Sequence, residues 1–173
     1  MRRSIFAACA CTIAVVGLGA VPGTSSAAVS GQDVTFMNSA HQGNMAEIAA
    51  GEDAQRHGGS SCVKEVGAML VRDHKKLDAA LSDLAEKEGV TLAVEVTPEQ
   101  EAELKSLQSN AGGDGYDKAW LAAQENAHKK TLLVIEAEIQ RGQDPDVQAA
   151  AREARPVVSA HLDMVRGGQC HHG

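Results

Sequence analysis

"GAMLVRDHKKLDAALSDL", Gly67 to Leu84, reads as one face of a helix: at 3.6-residue spacing its inward positions are Gly67, Leu70, His74, Leu77, Leu81 and Leu84. An imidazole therefore stands where the pattern asks for leucine. The leucines bear on the fold and the histidine on the chemistry.

Outward from this segment, everything after Asp33 reads as helix separated by short breaks. The longest strand-like alternation is "VTLAVEV", Val90 to Val96, which lies between Gly89 and Pro98 and is assigned as an extended connector. The first long helix runs from about Asp33 to Arg56 and stops at "HGGSS". Ser60 or Ser61 caps the second, which continues to Gly89. Thr97-Pro98-Glu99-Gln100 is a capping box with proline at the first helical position, so a short helix follows to about Ser109. After "NAGGDG", Asp114 caps a third long helix from Tyr116 to Arg141, closed by Gly142. Asp144-Pro145 opens the fourth, which ends at Gly167-Gly168 and carries Pro156 as a predicted kink. Four helices of roughly 24 to 28 residues with an Ala/Leu/Val interior predict an all-α four-helix bundle.

The chain has 173 residues, enough for one domain with a proper core. Residues 1–28, "MRRSIFAACACTIAVVGLGAVPGTSSAA", have the layout of a signal peptide: two arginines, an apolar run and a small-residue exit. Arg2-Arg3 also fits a twin-arginine signal. The expected mature domain is 29–173, secreted or in the cell envelope, with no membrane span once the leader is gone. The formal net charge is -7, and the chain has one tryptophan, one tyrosine and two phenylalanines. An acidic chain with so few aromatics offers neither a basic patch nor a stacking platform, which argues against nucleic acid as a partner. Nucleophile and phosphate-loop motifs are absent as well, so hydrolase and nucleotide-binding readings rank below metal-binding and structural ones. Cys9 and Cys11 leave with the leader. Cys62 and Cys170 remain, and two cysteines in an exported chain suggest one disulfide.

At about 100° per residue, His128 lies on the stripe of Leu121, Leu132, Ile135 and Ile139, and His161 shares its direction with Ala150, Ala154, Val157 and Val165. His41 lies between Met37, Asn44, Met45 and Ile48. Each of the four long helices thus aims a histidine at the bundle axis. Any one of them alone reads as a hydrogen-bonded core histidine. Several buried together without partners are costly, and a shared cation satisfies them at once. Folding the first hairpin near Gly59 places Glu47 about 3 Å and His41 about 6 Å off the level of His74, at 1.5 Å rise per residue. Glu47 is the better first-helix ligand by depth, and His41 by direction. Folding the last two helices about Gln143 leaves His161 about 4.5 Å off the level of His128.

Glu125-Asn-Ala-His128 matches the Glu-x-x-His spacing of di-iron bundles once, but Val71 and Val158 stand at the corresponding places before His74 and His161. Three or four imidazoles and one carboxylate instead suit a single transition-metal ion, zinc or copper ahead of iron or manganese. Asp73 and Glu125 flank the stripe and read as groups behind the ligands or in solvent. Cys170-His171-His172 reads as a frayed terminus before a surface metal site, and "GGDGYD" as a turn lacking the ligand count of a calcium loop.

The segments "AHQGNMAEIAAGEDA" (40–54), "LVRDHKKLDAAL" (70–81), "YDKAWLAAQENAHKKTL" (116–132) and "ARPVVSAHLDMV" (154–165) resemble the secreted bacterial family known as domain of unknown function 4142. The resemblance spans roughly Asp33 to Val165. It implies a ferritin-like fold and carries the family's recurrent polar positions onto Glu47, Asp73, His74, His128 and His161. Ala127 stands where relatives often have an acid, and His41 where many have alanine. A ferritin-like fold implies an up-down-down-up order with a long crossover, Gly89 to Gly115, between the second and third long helices. That order brings Cys170 near Cys62 and implies a disulfide between them. An up-down-up-down bundle would hold them about 40 Å apart and leave two free thiols. Two functions fit: an exported metal-binding protein, for buffering or oxidative-stress defence, or a non-enzymatic envelope bundle whose histidines form a structural or proton-sensing cluster with Glu47, Asn44 and Gln124.

Overall fold

The computed structural model describes residues 29–112 and 115–171. Residues 1–28, the expected leader, and Asp114 and His172 lie outside the described residues. Five helices account for the described fold: α1 (Gly31–His57), α2 (Ser61–Glu88), α3 (Pro98–Ser109), α4 (Tyr116–Arg141) and α5 (Pro145–Val165), with a 3-10 turn over Arg166–Gly168. There is no strand among the described residues, and the 90–96 segment is a connector as expected.

The helix ends are set by local chemistry. Ser30 accepts from the Asp33 backbone N–H while Asp33 accepts from that of Ser30, a capping box that starts α1 slightly ahead of the expected Asp33. Ser60 caps α2, and Gly89 closes it in the left-handed conformation, φ 67°. Thr97 and Gln100 form the α3 capping box, and Asp144 caps α5 through the N–H groups of Asp146 and Val147. Gly115 precedes α4 without a side-chain cap. The nearby carboxylate of Asp117 instead accepts from Gly59 N and Ser60 N at 2.7 and 2.9 Å, tying the start of α4 to the α1–α2 turn. The helix α5 runs unbroken through Pro156.

These ties fix the topology. The start of α4 meets the end of α1, where Tyr116 Oη donates to Asp53 at 2.6 Å, so α4 runs parallel to α2. The chain then turns at Gly142–Asp144, where Gln143 N and Asp144 N donate to Asp33 at the start of α1. The last helix returns to the first end, and Cys62 is bonded to Cys170 with Cα atoms 6.2 Å apart. The order is up, down, down, up, with 89–115 as the crossover carrying α3. Two glycines let α1 and α2 touch: a Cβ on Gly51 would lie 2.6 Å from Gly67 O, and one on Gly67 2.8 Å from Gly51 O. The glycine that opens the quoted stretch is there for close approach.

The apolar core is split in two. One cluster, at the disulfide end, joins Val63, Val66, Leu70, Tyr116, Trp120 and Val165. The other joins Phe36, Met37, Leu81, Ile135, Val147 and Val158. On each long helix the buried polar residues Asn44, Glu47, His74, Gln124, His128 and His161 fall between the two in sequence, making a polar layer inside the bundle.

At the far end Glu138 is fully buried beside Asp33 and Asp144. Burial pushes its carboxyl from the usual 4.5 up to about 7; Gln32 opposes this, and Asp33 and Asp144 add to it. A carboxyl whose folded value lies above its unfolded one holds its proton on folding, so stability present below about pH 4.5 is lost as pH rises through about 7. Glu138→Gln should flatten that decline and leave the variant more stable than the parent at pH 8. Urea titrations across this range check it; parallel curves for the two proteins would reject the assignment.

Candidate metal centre

His74 on α2, His128 on α4 and His161 on α5 are 3 %, 1 % and 1 % exposed. Their ring centroids lie 5.8, 5.2 and 5.5 Å apart, and one nitrogen from each ring lies within 4.8 Å of the other two. The three form a group that could hold a metal ion.

One nitrogen of each ring is fixed by a different acceptor. His74 Nδ1 lies 2.9 Å from Asn44 Oδ1, and His128 Nδ1 lies 2.9 Å from the Gln124 carbonyl oxygen one turn back. His161 Nε2 lies 3.2 Å from Asp73 Oδ2. The acceptors require N–H on these nitrogens, which leaves lone pairs on His74 Nε2, His128 Nε2 and His161 Nδ1. Those three atoms are buried and have no hydrogen-bond partner. Rings held through one nitrogen by a carbonyl or carboxylate, with the other free, have the outer support that metal-ligating histidines need. The donor set fits a cation.

Asp73 braces from the rim. Arg72 grips its carboxylate through two bonds of 2.8 and 2.7 Å, and with His161 this holds the Asp73 carboxyl at about 2 against the opposing effect of burial. It is therefore an anion facing the His161 N–H. Burial pushes His74 from 6.5 down to about 3, reinforced by His128 and His161 and resisted by Asp73. Burial likewise lowers His161, against its hydrogen bond to Asp73. Burial raises the Glu47 carboxyl, with His128 and Gln124 opposing and Glu103 adding to the rise.

The other expected site residues divide. Glu47 on α1 lies in the layer, its Oε1 3.8 Å from His128 Nδ1 and its Oε2 buried without a partner. His41 is outside the histidine group: its Nδ1 lies 2.7 Å from Asp78 Oδ1 at the α1–α2 seam. Glu125 is also elsewhere, accepting from Lys129 at 2.6 Å and from Gly168 N at 3.1 Å, where it fastens the turn after α5. Asp78, which takes His41, had no distinct signal in the sequence beyond its place one turn after His74.

A family model described as Domain of unknown function (DUF4142) matches residues 19–167. No curated protein matches the chain. Among solved structures the chain is similar to "Crystal structure of DUF305 fragment from Deinococcus radiodurans", with a TM-score of 0.71 over 80% of this chain and 95% of that one at 13% identity, a likeness of fold alone.

Proposed function

The chain belongs to the Domain of unknown function (DUF4142) family, and from the imidazole layer inside its bundle we infer that it is an exported, ferritin-like metal-binding protein. The three unpartnered nitrogens, each on a ring whose other nitrogen is pinned, are the observation that carries this reading. His74, His128 and His161 would hold the ion; Glu47 stands outside that group, its Oε1 3.8 Å from the pinned Nδ1 of His128, and His41 is taken by Asp78. An all-imidazole set favours zinc or copper over iron or manganese. A bound ion of this kind supplies Lewis acidity. The chain's own part is to keep the rings neutral and oriented between two apolar clusters, which suits buffering of a scarce metal or a role in oxidative-stress defence. Export is supported by the disulfide, and no described helix is long and apolar enough to cross a membrane.

A purely structural or proton-sensing histidine cluster is the second reading. It is favoured by the Asn44–His74 and Asp73–His161 bonds, but it leaves three buried nitrogens unsatisfied, a cost that a cation removes. Elemental analysis after supplementation with zinc or copper separates the two. About one equivalent in the parent and under about a tenth in the His74→Ala/His128→Ala variant is expected; less than about a tenth in the parent would sink the metal reading.

A further inference from the structure

Beside the histidines, a cavity of about 390 Å³ opens between α1 and α4 under the roof of α3. That volume is in the range of sites for small organic ligands. Its walls are mainly apolar, with Phe36, Leu77, Leu81, Leu104 and Ile135 among them. The inner wall is polar: Glu47 and Gln124, 7 % and 3 % exposed, each present an oxygen without a hydrogen-bond partner. Around the cavity, Glu99, Glu103 and Glu153 outweigh Lys130, and all four are exposed.

Gly43 also lines this cavity, in the middle of α1. Mid-helix glycine is unfavourable relative to alanine because it adds flexibility to the unfolded chain. Gly51 and Gly67 have a packing reason, since a Cβ on either would collide across α1–α2. Gly43 has none: a Cβ there would meet nothing within 4 Å. The missing side chain leaves open space at this wall of the cavity.

We propose that this cavity binds an uncharged amphiphile with an apolar body and a hydroxyl head, of the phenol or alcohol class, its O–H donated to Glu47 Oε2 or Gln124 Oε1 and its body lying along Gly43. Gln124 Oε1, an orphan acceptor, calls for a donor, and the Glu47 carboxyl beside it can accept one as well. The apolar walls call for a hydrocarbon body, and the carboxylates around them disfavour anions. This ligand is additional to the metal and would lie next to it, because His74 and His128 also line the cavity.

The test is calorimetric titration of 4-alkylphenols, phenol to 4-propylphenol, into cobalt-loaded and metal-free protein, with cobalt loading followed by its visible spectrum. Affinity should rise about fourfold per methylene. 4-Propylbenzoate should bind at least about tenfold more weakly than 4-propylphenol. Gly43→Phe should abolish the chain-length dependence and leave cobalt uptake intact. Cobalt uptake with phenol binding that is flat across the series, or unaffected in Gly43→Phe, overturns the cavity proposal and spares the metal reading. Chain-dependent binding in a protein that takes up neither cobalt nor zinc nor copper does the reverse. The series in the parent decides even where the variant fails to fold.

Discussion

Replacing Cys62 and Cys170 together by serine should destabilise the protein by about 4–5 kcal/mol, lowering Tm by about 10–15 °C. The bond joins residues 108 apart in sequence, so it removes most of the loop-closure freedom of the unfolded chain. The folded state adds to the effect. The bond sits at the α2–α5 seam, where the Asp73–His161 pair is a further cross-link in the middle of the bundle. Without it, the turn after α5 keeps Gly168 N on Glu125 and His171 N on the Met164 carbonyl. The loss should therefore come mainly from the unfolded side. Guanidinium unfolding of the oxidised parent and the double variant measures it. A loss below about 1 kcal/mol would mean that the bond merely fastens a tail, and that the closed-loop account fails.

The helix ends were legible because each is written in a few adjacent residues. Thr97-Pro98-Glu99-Gln100 and Asp144-Pro145 open α3 and α5 as read, and Gly89 and Gly142 stand just past the ends of α2 and α4. The expected start of the first helix was a few residues late because its box is Ser30-x-x-Asp33, with the shorter acid in place of Glu or Gln. The expected cap of the third rested on Asp114, which lies outside the described residues. Asp117, one residue into α4, carries nothing in its local sequence that sets it apart from any first-turn acid. Its use on Gly59 and Ser60 is a contact between segments far apart in sequence, which no local pattern encodes.

The histidine layer was legible in outline for the same reason that helices are: direction follows from 3.6 residues per turn. His74, His128 and His161 meet. Direction failed to separate His41 from Glu47, because His41 points near the axis but at the seam with α2, where Asp78 meets it. Glu47 lies in the polar layer beside His128, and neither it nor His41 belongs to the group of three histidines. Glu125 shows the converse limit. One turn before His128 it flanks the stripe, and the chain beyond α5 folds back to bind it through Gly168 N. The Gln124 carbonyl that fixes His128 lies one turn back on the same helix, but Asn44 and Asp73 come from neighbouring helices, so only the assembled bundle shows that they hold His74 and His161.

Zinc at about a thousand times its dissociation constant should stabilise the protein by about 4 kcal/mol, raising Tm by about 10 °C, and a chelator should reverse the gain. The metal-free protein should be acid-sensitive. His74 titrates near 6.5 when unfolded and near 3 when folded, so the unfolded chain takes up the proton first. Its contribution is present above about pH 6.5 and is lost as pH falls toward 3, the opposite sense to Glu138. Glu138→Gln is therefore the background in which to measure it. His74→Leu then separates the two readings. Leucine removes an unsatisfied buried nitrogen and the acid penalty, at the expense of leaving Asn44 Oδ1 without its donor. If the layer exists to hold metal, the metal-free variant should be at least as stable as its parent at pH 5, while the gain from zinc shrinks to a small fraction. If the histidines are there as a structural hydrogen-bonded network, the same substitution should destabilise the metal-free protein at every pH. A site that weakens the protein when vacated and strengthens it when filled is one selected for its ligand rather than for the fold.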